Sequence, residues 1–270
     1  VGIPGTVKGL VLALEQYGTM SLGRIIEPAI KLAKKGIIVT PDLASSLTSL
    51  KKRISQWPSS KEIFYKKNNQ NYQPGERLVQ TDLAHSLNKI ALLGSKGFYQ
   101  GEIAEKIVNA VQGAGGVMTQ KDLLNYEVII RKPVWGEYRG YQIASMPPPS
   151  SGGVHIIQML NMLEEYPIKE LGHNSAETIH LMAEVMKRAY ADRSKYLGDP
   201  SFVKIPLKGL TDKQYAKELS KKITGKATPS NLITSGKPLP YESNETTHYS
   251  VVDKWGNAVS NTYTLNFSYG

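Results

Sequence analysis

Along the first two thirds of the chain, apolar residues recur at helical spacing. Val7, Leu10, Val11 and Leu14 fall on one face, and Gly18 is placed to end the helix they define. Ser21 to Lys35 repeats the pattern and meets Gly36. Thr40-Pro41 reads as a cap followed by proline at the first helical position, which predicts a third helix to about Arg53. Residues 55–80 are polar and carry Asn68-Asn69-Gln70-Asn71 and Pro74-Gly75, so they read as a loop. Thr81 then caps a stretch with Leu83, Leu87, Ile90 and Leu93, and Ile103, Ile107 and Val111 mark a further helix. Thr119 caps a short one through Tyr126. Gly113-Ala114-Gly115-Gly116-Val117 follows a helix rather than a strand. It therefore reads as a glycine-rich helix end and not as a dinucleotide-binding loop.

The pattern changes at Val128-Ile129-Ile130, which reads as a strand, as does Val134 to Ser145 with a turn at Arg139-Gly140. Met146-Pro147-Pro148-Pro149-Ser150-Ser151-Gly152-Gly153 is a rigid and then flexible loop, followed by a helix carrying Val154, Ile157, Met159, Leu160 and Leu163. A long helix is expected from about Ser175 to Tyr196 with Asn174 as its cap, and another from Thr211 to Lys222. Residues 225–245 are rich in Pro, Ser, Thr and Asn and read as an extended, exposed linker. Two strands close the chain, Thr247–Asp253 and Ala258–Leu265, joined around Lys254-Trp255-Gly256-Asn257.

Composition narrows the function classes. The 270 residues are 40% hydrophobic and 21% charged, which is ordinary for a globular protein and excludes disorder. No apolar run approaches the roughly 20 residues that span a bilayer. The net charge of +10 is spread over small clusters such as Lys51-Lys52-Arg53, without the interleaved aromatics of a single-strand stacking platform. Solvated helix faces account for it, and no nucleic-acid or membrane partner is expected. There is no cysteine, so a thiol nucleophile, a disulfide and a thiolate metal site are excluded within this chain. The five histidines, His85, His155, His173, His180 and His248, form no closely spaced pair on one helix face. They read as structural or surface groups, and neither a metal nor a cofactor is expected. No signal peptide is visible, although Val1-Gly2-Ile3-Pro4-Gly5 reads like the interior of a longer protein.

Two segments carry candidate chemistry. Ser150-Ser151-Gly152-Gly153 precedes a helix. It reads as an N-cap and flexible turn, or as an anion site at the helix N-terminus. Glu242 to Asp253 runs from a polar linker straight into a β-prone strand opened by Thr246-Thr247. By composition this is an edge strand. The chemical alternative is a threonine freed at a new N-terminus. Such a residue carries a hydroxyl nucleophile and an α-amine of pKa near 8, which can accept the hydroxyl proton.

Thr246-Thr247-His248-Tyr249-Ser250-Val251-Val252-Asp253, Gly256-Asn257-Ala258-Val259 and Thr262-Tyr263-Thr264-Leu265-Asn266 resemble the γ-glutamyltransferase (γ-glutamyl transpeptidase) family of N-terminal nucleophile hydrolases. So do Val1 to Val7, Pro147 to Gly153, Tyr190-Ala191-Asp192-Arg193-Ser194 and Tyr196-Leu197-Gly198-Asp199-Pro200. The likeness covers essentially the whole chain and is closest to bacterial periplasmic or secreted members. It implies an α+β fold, a partial αββα sandwich that is helix-rich with incomplete sheets. Residues 1–245 would be the C-terminal part of a large subunit and 246–270 the start of a small one, both from one precursor.

The resemblance also implies roles. The precursor would cleave itself between Glu245 and Thr246, with Thr246 Oγ attacking the Glu245 carbonyl. The freed Thr246 would attack the γ-glutamyl amide of glutathione or a related compound, and water, an amino acid or a dipeptide would resolve the acyl-enzyme. Thr264 matches the threonine that bonds to the nucleophile, and Asn266 matches a residue holding the substrate's α-amino end. In a strand 264 and 266 share one face. Many bacterial relatives have Gln where this chain has Glu245. Since the attacked group is the backbone carbonyl, processing is expected to survive. The family's carboxylate-binding arginine would lie before Val1, and its oxyanion glycines, further substrate contacts and lid loop beyond Gly270. The 270 residues alone are therefore expected to be inactive, with unpaired sheet edges and exposed apolar faces. The other readings are a related self-processing amidase or acylase, and a non-catalytic binding protein with the same fold.

Overall fold

The computed structural model describes residues 2–238 and 247–263, which divide into two compact units, one up to Ile129 and one from Ile130.

In the first unit α1 (Thr6–Tyr17) ends at Gly18, whose N–H bonds the Leu14 carbonyl at 2.8 Å. Helix α2 (Leu22–Lys35) ends at Gly36, where φ is +81°. That left-handed residue turns the chain into β1 (Ile37–Ile38), which pairs antiparallel with β2 (Arg77–Leu78). Thr40 Oγ1 accepts from Leu43 N at 3.2 Å and Pro41 opens α3 (Pro41–Ser49) as expected, but the helix stops early and restarts as α4 (Lys51–Ile54). The reason is local. Thr48 Oγ1 donates to the Ala44 carbonyl at 2.8 Å and Ser49 Oγ to the Ser46 carbonyl at 2.9 Å, so hydroxyls compete for the backbone groups of the last turn.

Residues 55–80 are not all loop: α5 (Pro58–Phe64) lies within them. Its anchors are the buried Tyr65, whose hydroxyl donates to the Leu47 carbonyl at 2.7 Å, and the buried Leu78. Helix α6 (Thr81–Leu93) has Gln80, not Thr81, at its N-cap. There follow α7 (Lys96–Tyr99), α8 (Gly101–Gly113) and α9 (Gln120–Leu124). After α8, Gly115 N bonds Gln112 O at 2.9 Å and Gly116 N bonds Val111 O at 2.8 Å, the paired helix-ending bonds that the glycine run predicts. Thr119 caps α9 in a reciprocal box with Asp122. Tyr99, Ala104, Val108, Met118 and Leu123 form the larger core cluster, and Val39, Ala44, Leu47, Ile54, Tyr65 and Leu78 form two smaller ones.

In the second unit β3 (Val134–Tyr138) and β4 (Tyr141–Ser145) form a hairpin. Arg139 and Gly140 both have positive φ, 50° and 85°, as a two-residue turn of the mirror type requires. Val128-Ile129-Ile130 is not a strand. No described strand pairs with it, and Ile129 and Ile130 are exposed.

Helices α10 (Gly152–Leu163), α11 (Ile168–Leu171), α12 (Ala176–Tyr196), α13 (Leu207–Leu210) and α14 (Lys213–Ser220) follow. Ser175 caps α12 by accepting from Thr178 N at 3.1 Å, whereas Asn174 takes the left-handed turn before it, with φ 54°. Asp212, not Thr211, caps α14 by accepting from Tyr215 N at 2.8 Å. Met162, Leu163, Leu181, Val185, Ala189, Ala216 and Leu219 form the core between α10, α12 and α14. Each fully buried apolar side chain there stabilises by about 1.5–3 kcal/mol. The strands β5 (Thr247–Val252) and β6 (Ala258–Tyr263) make a second hairpin. Among the described residues all three sheets are two-stranded and antiparallel, and Trp135, Tyr141, Val251 and Val259 stand exposed on the hairpins.

Candidate active site

Glu245, Thr246, Thr264 and Asn266 lie outside the described residues. The structure does describe the hairpin that adjoins them in sequence, β5 and β6. Asp253 builds its turn: one carboxylate oxygen accepts from Trp255 N at 2.9 Å and Asn257 N at 3.0 Å, and the other accepts from Asn257 Nδ2 at 2.9 Å. The side-chain bond from Asn257 leads these in lowering the Asp253 pKa, so the turn is held by an ionised carboxylate. Gly256, at φ +85°, supplies the left-handed residue. A turn fixed this tightly fixes the register. Val252 faces Ala258, Ser250 faces Ser260, and Thr247 faces Tyr263 as the last described pair. In the sequence, Thr246 precedes Thr247 and Thr264 follows Tyr263.

Beside β6 lies a cleft of about 450 Å³, lined by Ser260, Arg131, Ser145, Ser150 and the start of α10 at Gly152-Gly153. Ser151 holds the N-cap position of α10 but makes no capping bond; its hydroxyl accepts from Arg193 Nε at 3.3 Å instead. Ser150 Oγ accepts from Gly152 N at 3.3 Å. A Cβ on Gly153 would lie 2.3 Å from the Met146 carbonyl oxygen and 2.7 Å from Val134 Cγ1, so Gly153 is there for a close backbone approach. One turn on, His155 is buried and stacks on Tyr190 with ring centroids 5.6 Å apart. Burial, and then the Arg193 charge, lower its pKa to about 4, and Nε2 has no hydrogen-bond partner among the described residues.

The residues that sequence reasoning passed over lie on α12. Glu184, Arg188 and Asp192 recur at four-residue spacing and are all buried. Glu184 accepts from Arg188 Nη1 at 2.6 Å, Lys187 Nζ at 2.8 Å, Thr228 Oγ1 at 2.7 Å and Thr228 N at 2.9 Å. Burial raises its pKa, but these donors outweigh that and hold the carboxyl well below the usual range. Asp192 accepts from Gln158 Nε2 and Tyr215 Oη, each at 2.6 Å, and from Gly236 N at 2.7 Å. Burial pushes its pKa up against those three bonds. Residues 225–238 are therefore not a free linker: Gly236 and Pro238 are buried, and Ser230–Leu232 forms a 3-10 turn. The signal was legible. A charged stripe sharing a helix with Leu181, Val185 and Ala189 has to be paired inside the fold.

Known structures place this arrangement in a class. A crystal structure of gamma-glutamyltranspeptidase from Helicobacter pylori superposes with a TM-score of 0.84 at 46% identity, over 91% of this chain and 70% of that one. A second, from Pseudomonas nitroreducens, gives 0.77 at 31% identity over 87% and 70%. The fold is thus the helix-rich, partial α+β fold of the N-terminal nucleophile hydrolases. The family model for gamma-glutamyltranspeptidase matches residues 1–270, and the chain belongs to that family. It is 52% identical over 271 residues to the glutathione hydrolase proenzyme of Escherichia coli K12, covering all of this chain and 47% of that protein. It is 42% identical over 272 residues to the acylase ACY 1 proenzyme of a Pseudomonas species, strain V22, covering all of this chain and 48% of that protein. The chain spans about half the length of these relatives.

Proposed function

We propose that this chain carries the processing junction of a self-cleaving γ-glutamyl transferase/hydrolase, a threonine enzyme needing no cofactor. The observation that carries the reading is the β5–β6 register, which ends with Thr247 opposite Tyr263. That register is what an opposed Thr246–Thr264 pair requires. With the period of two along a strand it also suits Asn266 sharing a face with Thr264.

In this reading Thr246 Oγ attacks the Glu245 carbonyl carbon. The peptide C–N bond breaks as the C–O bond forms, and the proton passes to the departing nitrogen. Water then splits the ester, leaving the Glu245 carboxylate and a free Thr246 amine. The parts through Glu245 and from Thr246 become the large and small subunits of a heterodimer. The amine, of reference pKa near 8, takes the Thr246 hydroxyl proton when that oxygen attacks a γ-glutamyl amide. Thr264 steadies the nucleophile and Asn266 holds the substrate's α-amino group. Glutathione and other γ-glutamyl compounds are the donors; water, amino acids or dipeptides are the acceptors. The resemblance to bacterial periplasmic or secreted members supports a periplasmic or secreted location. The likeness to an acylase proenzyme supports a second reading, the same self-processing chemistry acting on another acyl group.

The test is intact-mass spectrometry and N-terminal sequencing of the full-length gene product. A new N-terminus at Thr246, lost in Thr246→Ala, is the expected result. A folded wild-type precursor that stays whole overturns the reading in favour of a non-catalytic protein. Turnover of γ-glutamyl-p-nitroanilide then separates the transferase from the acylase.

A further inference from the structure

Glu184 and Asp192 act on one stretch of chain. Eight residues apart on α12, they hold backbone groups that are also eight residues apart, Thr228 N and Gly236 N, in the same chain direction. Two neighbours on the helix complete the hold. Lys187 Nζ donates to the Thr228 carbonyl at 2.8 Å and the Tyr196 hydroxyl to the Gly236 carbonyl at 2.7 Å. Both peptide groups are thus gripped at N–H and C=O, as a neighbouring strand would grip them, but by side chains. The hold at Gly236 is close-fitting: a Cβ there would lie 2.0 Å from Tyr215 Oη, itself bonded to Asp192. A core ion network has no need to reach outward to successive points on a passing segment.

We infer that Glu184, Lys187, Asp192 and Tyr196 are positioning residues for self-processing, strapping residues 228–236 along α12 so that the chain enters the Glu245–Thr246 junction from a fixed point. This rests on the processing reading above. The strap's last anchor, Gly236, stands nine residues before Glu245, and β5 begins at Thr247 on the other side. The bond to be cut therefore lies within an 11-residue span closed at both ends. Freeing Gly236 moves the nearest hold back to Thr228 and lengthens the span to 19 residues. Closure probability falls as about the −3/2 power of length, so chain entropy alone predicts processing about twofold slower. Loss of the fixed approach direction adds to that. Once the bond is cut the strap holds only a chain end, and the mature site no longer depends on it.

The experiment measures the first-order rate of conversion of the full-length precursor into two subunits, then kcat and KM per processed molecule. Tyr196→Phe removes one hydroxyl and keeps the ring. Gly236→Ala displaces the strap without altering a charged group. Asp192→Asn removes the carboxylate. The expected result is conversion slowed about two- to threefold in Gly236→Ala and Asp192→Asn and by less in Tyr196→Phe, which keeps the Asp192 bond to Gly236 N, with kcat and KM of the matured enzyme unchanged. Should Asp192→Asn fail to fold, the other two variants decide. Wild-type conversion rates in folded Tyr196→Phe and Gly236→Ala overturn the strap and leave the processing reading standing. So does a fall of melting temperature, kcat and conversion rate together, which marks a purely structural network. A wild-type precursor that never cleaves at Thr246 overturns the processing reading itself.

Discussion

Among the described residues up to Ile129, the buried side chains are apolar or aromatic, from Val11 to Leu123. From Ile130 on, the buried set also contains His155, Gln158, Asn161, Glu184, Arg188 and Asp192. The same chain thus builds two kinds of interior. Apolar packing is non-directional, and a cluster such as Tyr99, Ala104, Val108, Met118 and Leu123 needs only the right volume. A buried carboxylate needs named donors at fixed distances, and α12 finds some of them, Thr228 and Gly236, in the segment that follows α14. The second interior specifies where a piece of chain goes, and it titrates.

The sharpest way to break the contrast is at Arg188. Its guanidinium donates to the Glu184 carboxylate at 2.6 Å, to the Glu184 carbonyl at 2.9 Å and to the Lys222 carbonyl at 2.8 Å. Arg188→Met leaves a buried carboxylate short of its buried counter-charge, and a loss of about 3–5 kcal/mol is expected by denaturant unfolding. The double variant Glu184→Leu/Arg188→Met should regain most of it, because the uncompensated charge is gone. The wild-type contribution also has a pH signature. The Glu184 pKa is lowered in the fold from 4.5, so its stabilisation is full above that value and is lost as pH falls below it.

Leu123→Ala is the matching test in the first unit. Leu123 is fully buried in the Tyr99–Met118 cluster, and the cavity should cost about 2–5 kcal/mol. That loss should be equal at pH 7 and pH 5. A pH-dependent loss would show that a titrating group supports the apolar interior after all.

What was legible in the sequence follows from the same difference. Helices marked by local rules, such as α1 with Gly18 or α9 with its Thr119–Asp122 box, lie where the spacing puts them. The β5–β6 hairpin was legible for a similar reason, since Asp253, Trp255, Gly256 and Asn257 make its turn from five neighbouring bonds. What was missed depends on partners distant in sequence. Val128-Ile129-Ile130 has the composition of a strand but no described strand beside it. Residues 225–238 have the composition of a linker, and nothing local reveals that Gly236 meets Asp192, 44 residues earlier. Glu245, Thr246, Thr264 and Asn266 are assigned by motif resemblance alone and lie outside the described residues.

His155 sharpens the contrast on a smaller scale. Its pKa is lowered from 6.5 to about 4, by burial first and by the Arg193 charge second. The unfolded chain therefore binds a proton that the folded chain refuses between these values. Stability is full above pH 6.5 and falls as pH drops toward 4, by at most about 3 kcal/mol. His155→Phe keeps a ring against Tyr190 and removes the titration. The melting temperature of the variant should change less than that of the wild type between pH 6.5 and 5. An identical pH profile in the two proteins would mean that another group in the second unit carries the acid sensitivity.

The smallest effect is expected where charges cluster but nothing is buried. Glu102 in the first unit meets Lys106 at 2.8 Å, Lys89, and His85 at 3.4 Å, and these partners, Lys106 first, lower its carboxyl to about 2. By charge count this resembles the Glu184 site. By burial it does not, because the Glu102 side chain is 41% exposed against 0% for Glu184, so water and salt screen each attraction and ordering long side chains opposes it. Glu102→Gln should leave the melting temperature unchanged at 0.15 M salt, although Glu184→Gln removes an equal formal charge and should lower it. If the two substitutions cost the same, burial is not what separates the two units, and the distinction must be sought in how far apart in sequence the partners lie.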